Sequence, residues 1–464
     1  MVDGAEHVVV FDQRTGQVVV LEPPTWDVLA QADGTRDIEG IRLAARRAGV
    51  VTSRAEIERT LGQLHAMGLV TGPTERRGPA RVVIERTTPP SRLIEPLPDF
   101  RLRCDRSGAC CRNYATVLMT SADVERARAW VPGHRVGRWH GDQLFLPVAG
   151  SEPSELHAPA HRDGACGYLE TAGTCAIHRA GGLAAKPVGC AVFPTVFTDD
   201  GVSVRASVKT ECACVLDSAG ALVDGVDDEP WLDPAWRSAG ELPPLVAVTR
   251  LHEKLALSAD RTLPTTEVRA FLEAWMSLPC PEDVAVAAWA MAAALEDRGP
   301  DAALRAWVDP APTRPTDVAP WIEHLHARAR RRAHDNAQWR SEADAVRTGV
   351  EWIAAAAAVL ADSEALAELV AAPPEATATE HFYLRAAAHA YALLERPLTD
   401  ALRDRAVRIW LSRAMRWLAP GATDAARRQP LARVDALLRG YGIGNYVDEV
   451  LTSCRAASPA SRRD

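Results

Sequence analysis

The sequence predicts a mainly α protein with small β elements, built as an N-terminal winged-helix-like module, a loop-rich cysteine-cluster metal domain and a C-terminal all-α domain. Three observations carry that prediction. Two β-branched runs flank Gly16 and lead into short amphipathic segments, eight of the 10 cysteines fall between Cys104 and Cys214, and the chain from about 245 onward is rich in Ala, Leu and Arg at helical spacing. At 464 residues the chain is too long for one ordinary core.

The first element is HVVVFDQRTGQVVVLEPP, which reads as a hairpin with a three-to-five-residue loop around Gly16. TWDVLAQA follows as a short amphipathic helix. Asp33-Gly34 turns the chain, and Asp37 can cap a helix whose apolar side is Ile38, Ile41 and Leu43 to Ala45. Ser53 with Glu56 is a capping-box signature; Ile57, Leu61 and Leu64 follow at helical spacing, and Gly68 stops the helix. A hairpin and three helices define a module over residues 1–75. Residues 76–99, rich in Pro and Arg, read as a linker.

Residues 100–216 form the cysteine domain, 217–244 a second, acidic linker, and 245–458 the helical domain, with breaks at Pro279 and Pro281 and around VDPAPTRPTDVAP. Ten of the 13 tryptophans lie between Trp231 and Trp417, which by default means core packing.

Charge and hydropathy exclude several classes. The formal net charge of −8 offers no basic field for nucleic acid or an anionic membrane. The opening MVDGAEHVVVFD lacks a basic region followed by an apolar run, so no secretory signal is expected. Asp362, Glu364 and Glu368 interrupt the most apolar helical stretch before it could span a bilayer. The expected location is the cytoplasm, where thiols stay reduced.

In that compartment a crowd of thiols calls for metal, catalysis or burial, and metal is the first of these. The candidate ligands are Cys104, Cys110, Cys111, Cys166, Cys175, Cys190, Cys212 and Cys214; Cys280 and Cys454 are isolated and read as small apolar residues. SGACC, DGACGY, AGTCAIH and VGCAVFP each set Gly or small residues beside Cys. Gly108, Gly164, Gly173 and Gly189 would let backbone N–H groups approach sulfur. Adjacent Cys110 and Cys111 suit a site with more than four thiolates, and Cys212 and Cys214 would face the same way on a strand. An iron-sulfur cluster is the first reading. Zinc is the alternative, although the paired CxxC knuckles of structural zinc sites are missing. His178 could ligate metal or make a structural hydrogen bond, and Lys186 could balance thiolate charge or lie on the surface.

No radical-type CxxxCxxC triad and no strand-linked GxGxxG occurs, and RGYGIGNY reads as a helix stop. His326 with His334, and His381 with His389, recur at helical spacing and could line a pocket or belong to core or surface. No acid–base pair or Ser/His/Asp order stands out, so no catalytic residue is assigned.

Two stretches resemble known families. The apolar hairpin, TWDVLAQADGTRDIEGI and IERTLGQLHAMGLV resemble the PqqD-like peptide-recognition domains, which implies capture of a peptide, such as a leader peptide, as an added strand. A purely structural cap is the competing reading. The series LRCDRSGACCR, GACGYLETAGTCAIH, KPVGCAVFP and SVKTECACV resembles the YkgJ-like CxxCxxCC cysteine-cluster proteins, which bind iron or zinc and are related to the flagellin lysine-N-methylases. That resemblance implies iron-sulfur ligation, possible use of S-adenosylmethionine and modification of a peptide or protein substrate. The first motif here is C-x5-CC, so one thiolate of the family pattern is missing at the front; Cys214 or His178 could replace it. The opposing expectation is a non-catalytic zinc- or iron-binding carrier.

Overall fold

The structure, a computed structural model, describes residues 8–12, 17–21, 53–66, 92–102, 117–147, 156–218, 248–337, 343–367, 377–418 and 424–440, with isolated positions left out inside these spans and a few included between them. The chain is mainly α with small β elements, as the sequence predicts. It separates into two compact units, Met1–Pro79 with Cys110–Ala191, and Ala80–Ala109 with Val192–Asp464. The stretch 100–216 therefore contributes to both units.

In the first unit, strands Val8–Asp12 and Gln17–Leu21 pair antiparallel in register Val10↔Val19. The capping box forms at the helix Arg54–Ala66: the Glu56 N–H donates to Ser53 Oγ at 3.2 Å, and the Ser53 N–H donates back to Glu56 Oε2 at 2.7 Å. Val28, Ile41 and Ile57 make a small core, with Ile38 and Leu61 packed against it. Ile38, Ile41, Ile57 and Leu61 are positions that helical spacing selected.

The rest of this unit surrounds Met119, Val124, Ala127, Leu144, Phe145, Tyr168 and Ile177. Helix Ser121–Trp130 is held at its start by Thr120 and Asp123, each side chain accepting from the other's backbone N–H. Helix Ala176–Ala185 is kinked at Gly181 and Gly182, and a Cβ on Gly181 would lie 2.7 Å from both Ala185 and the Trp130 ring. Glycine permits that close passage.

The second unit contains a four-stranded sheet in the order Val248–Arg250, Thr195–Asp199, Val204–Val208, Ile94–Pro96. The central pair is antiparallel and both outer strands run parallel to their neighbours. Two expectations are corrected here. The end of the Pro/Arg-rich linker is an edge strand, where Pro96 is tolerated. The segment read as wholly helical begins with short strands at Val248–Arg250, Lys254–Ala256 and Thr262–Pro264 before its first helix, Thr265–Met276.

Helices Val284–Asp297, Pro300–Val308, Pro315–Ala337, Ala343–Ala361, Thr377–His389, Leu398–Trp417 and Asp424–Gly440 follow. Leu398–Trp417 is buried on nearly every side. Tryptophan contacts confirm the core role: Trp289 meets Trp321 at 5.8 Å and Trp410 at 5.7 Å between ring centroids, and Trp275 meets Trp307 at 5.3 Å. No helix among the described residues is long and apolar enough to cross a membrane.

Candidate metal centre

The thiols of the first unit are set by a tight loop. Cys166 ends a two-residue strand, Ala165–Cys166, and its carbonyl accepts from the Leu169 N–H at 2.9 Å. Leu169 bridges back to Cys175, and the Tyr168 carbonyl accepts from the Ala176 N–H at 2.8 Å. Glu170 and Gly173 close the turn, with Gly173 at φ +83°, a conformation natural to glycine. Helix Ala176–Ala185 starts directly after Cys175. The loop thus fixes Cys166 and Cys175 at its two ends.

Cys190 comes from the short helix Val188–Val192. Its approach is held by Asp123, which is 1% exposed: Asp123 Oδ1 accepts from the Val188 N–H at 3.2 Å and from Arg126, whose Nη2 also donates to the Lys186 carbonyl. One carboxylate therefore caps a helix and holds the turn that delivers a thiol. Cys166, Cys175 and Cys190 all pack against the same apolar cluster, and all three are half-buried.

Tyr168 lies at the centre of this arrangement. Its ring stacks on His134 at 4.8 Å and tilts against Phe145 at 5.4 Å, while His134 Nε2 bonds the Gly167 carbonyl at 2.8 Å. Burial pushes the phenol's pKa up, Arg128 works against that, and the neighbouring Cys166 and Cys175 add to it. The phenol therefore keeps its proton. Sequence reasoning passed over Tyr168; the aromatic in the CGY triplet was the available signal.

Other predicted positions divide as follows. Cys111 is half-buried in the first unit, whereas Cys104 and Cys110 lie outside the described residues. His178 is half-buried in the first turn of the helix after Cys175, and Lys186 is half-buried just past that helix's end at Ala185.

Cys212 and Cys214 belong to the second unit, buried with Leu97, Phe100, Val208, Val215 and Ala386. They do not share a strand: the strand ends at Val208, a turn closes with the Cys212 N–H on the Lys209 carbonyl at 3.2 Å, and Cys212 caps the short helix Ala213–Asp217. The strand on which a common face was expected is therefore absent at these positions, although both thiols are buried in the same apolar cluster.

His326 and His381 have their pKa values lowered by burial, His381 to about 4. Cys280 is an exposed thiol whose pKa burial raises.

Chemically, thiols are the donor type that soft metals take. Three thiols reach one apolar cluster from separate backbone segments, one through a turn that needs a left-handed glycine, and no disulfide joins any of the described cysteines. Among the described residues alone, no group of three or more metal-binding side chains is close enough to hold an ion. Comparison with family models, with curated proteins and with solved structures finds no match for this chain.

Proposed function

We propose that the chain is a metal-dependent modifier of a peptide or protein substrate, with thiolates holding an iron-sulfur centre and the N-terminal hairpin module recruiting the substrate. The observation that carries this reading is that Cys166, Cys175 and Cys190 all pack against one apolar cluster that contains Tyr168. Cys111 and Cys110 are the further thiols of the same unit that could complete a ligand set. When bound, such a centre would supply electron transfer or support group transfer.

The chain's own residues have distinct roles in this reading. Asp123 positions the Cys190 turn, Gly173 lets the Cys166–Cys175 loop close, and Tyr168 offers a phenol O–H beside two sulfurs. Hydrogen bonds to ligating sulfur raise a cluster's reduction potential by stabilising its added negative charge. Among the described residues the hairpin pairs with no further strand, and an added peptide strand could bond such an edge. The likeness to lysine-N-methylases suggests methyl transfer from S-adenosylmethionine to an amine of a polypeptide in the cytoplasm.

The test is anaerobic purification followed by iron, zinc and acid-labile sulfide analysis, with Cys166→Ser and Cys175→Ser alongside the wild type. Iron with matching sulfide, lost in both variants, is expected. A mass shift on a co-expressed peptide should then depend on the same cysteines. Zinc without sulfide and no mass shift would replace the reading with a non-catalytic zinc-binding carrier.

A further inference from the structure

The second unit carries a buried basic cluster that has no part in the thiol chemistry. Arg205 sits in the sheet strand Val204–Val208 and is 1% exposed. Its Nη2 donates to Glu273, its Nε faces Asp200 Oδ2 at 3.4 Å, and its guanidinium lies over the Tyr391 ring, 5.0 Å from the centroid. Its Nη1 is buried and makes no hydrogen bond.

His389, at the end of helix Thr377–His389, is 4% exposed, and its Nε2 lies 3.1 Å from the Glu95 carbonyl. A carbonyl can only accept, so Nε2 carries the proton and Nδ1 presents a bare lone pair. That Nδ1 is also buried without a partner. One helical turn earlier, the Nε of Arg385 is buried and unpartnered as well. Burial, aided by Arg205 and Arg385 and opposed by Glu95, holds His389 down to about 4, so the ring is neutral at pH 7.

Unsatisfied buried polar groups are rare, and three on facing elements call for an occupant. Its chemistry can be read from their senses. Arg205 Nη1 and Arg385 Nε give hydrogens, whereas His389 Nδ1 takes one. Local charge separates water from an anion: Arg205 and Arg269 are 1% and 16% exposed and face a fully buried Asp200, while the other two carboxylates, Glu95 and Glu273, are 29% and 48% exposed and screened by solvent. Arg385 adds a third guanidinium against these three carboxylates, of which only Asp200 is fully buried, so the interior side of the cluster is its more positive side.

We propose that Arg205, Arg385 and His389 form a binding site for hydrogen phosphate. Its charged oxygens accept from the two arginines and its P–OH donates to His389 Nδ1. Sulfate and carboxylates have no such proton at neutral pH. A phosphate monoester, whose second pKa is about 6, is mostly without one at pH 7.5.

The test is calorimetric titration of the full-length protein, prepared without phosphate, with inorganic phosphate, sulfate and glycerol phosphate at pH 7.5. Saturable phosphate binding is expected, with the other two at least about tenfold weaker. Arg385→Gln, checked for native circular dichroism, should weaken phosphate by a similar factor because it removes one charge-assisted donor.

No phosphate binding, or equal binding of sulfate, overturns the proposal. So does unchanged affinity in a folded Arg385→Gln protein. Should that variant not fold, the phosphate-to-sulfate contrast on the wild type decides alone. The outcome is independent of the metal content of the thiol cluster.

Discussion

Replacing Asp435 by Asn tests how the helical part of the second unit is held together. Asp435 is 2% exposed on helix Asp424–Gly440 and receives four hydrogen bonds from three other segments. Thr210 Oγ1 donates to Oδ2 at 2.7 Å, while Tyr383 OH, Arg405 Nη1 and Arg408 Nη1 donate to Oδ1 at 2.9, 2.9 and 2.5 Å. Asn keeps the Oδ1 acceptor and the shape, and the Thr210 hydroxyl can rotate to accept from its amide. The charge alone is lost. Arg408 retains Asp404 at 2.8 Å, whereas Asp435 is the carboxylate that Arg405 bonds, at 2.9 Å.

Leaving a buried charge uncompensated costs about 3–5 kcal/mol, a large share of the roughly 5–15 kcal/mol that stabilises a domain. Thr210→Val removes only one neutral donor and should cost about 1 kcal/mol. Urea unfolding followed by far-ultraviolet circular dichroism measures both. Burial works to raise the Asp435 pKa, but Arg405, Arg408 and the two hydroxyls overcome it and hold the carboxyl well below the usual range. A depressed carboxylate contributes its full stabilisation above the unfolded value, about 3.9, and loses it as pH falls toward the folded value. The wild type should therefore lose stability below about pH 5 by more than Asp435→Asn does. A loss under about 1 kcal/mol for Asp435→Asn, or equal acid sensitivity in the two proteins, would refute the charge argument.

Three further outcomes follow from named residues. His389 is held neutral down to about 4, so the unfolded chain binds more protons between about pH 6.5 and 4; wild-type stability should fall as pH drops through that window, and His389→Gln should flatten the slope in denaturant titrations at successive pH values. Gly173→Ala forces a Cβ into φ +83° and should cost about 1 kcal/mol, with reduced metal content per chain because the Cys166–Cys175 loop closes less well; unchanged metal analysis would separate the loop from the centre. Cys190→Ser should lower bound metal, whereas Cys280→Ser should leave it unchanged, as measured by elemental analysis of the purified variants.

Local signals in the sequence located much of the fold. The Ser53–Glu56 capping box, the Ile57 and Leu64 core positions and the tryptophan core are all decided by neighbours within a turn or by bulk apolar burial, which periodicity reports directly. The same holds for the cysteine loop: Gly173 beside Cys175 marks a turn, and turn chemistry is short-range. The two strands flanking the sheet were hidden for a different reason. Ile94–Pro96 and Val248–Arg250 are three residues each, too short for an alternating pattern, and exist because the central pair offers them open edges.

The buried charges are not legible in the sequence because a charged side chain is ordinarily exposed. Helix Leu398–Trp417 carries Asp404, Arg408 and Arg413, which a periodic reading places on a solvated face, yet all three are buried. Arg413 is neutralised by Asp283, 130 residues away, and by Glu380; Arg269 binds Glu95, 174 residues away. Each guanidinium can enter the interior only because a partner distant in sequence arrives with it. Sequence windows cannot weigh such pairs, and Arg205 and His389 fall in the same blind spot. Where pairing is complete, as at Arg413, the result is a structural tie. Where Arg205 and His389 leave buried nitrogens unmatched, the same physics points to a ligand. In this chain, then, the residues hardest to read from sequence are the ones whose pairing separates a scaffold from a site.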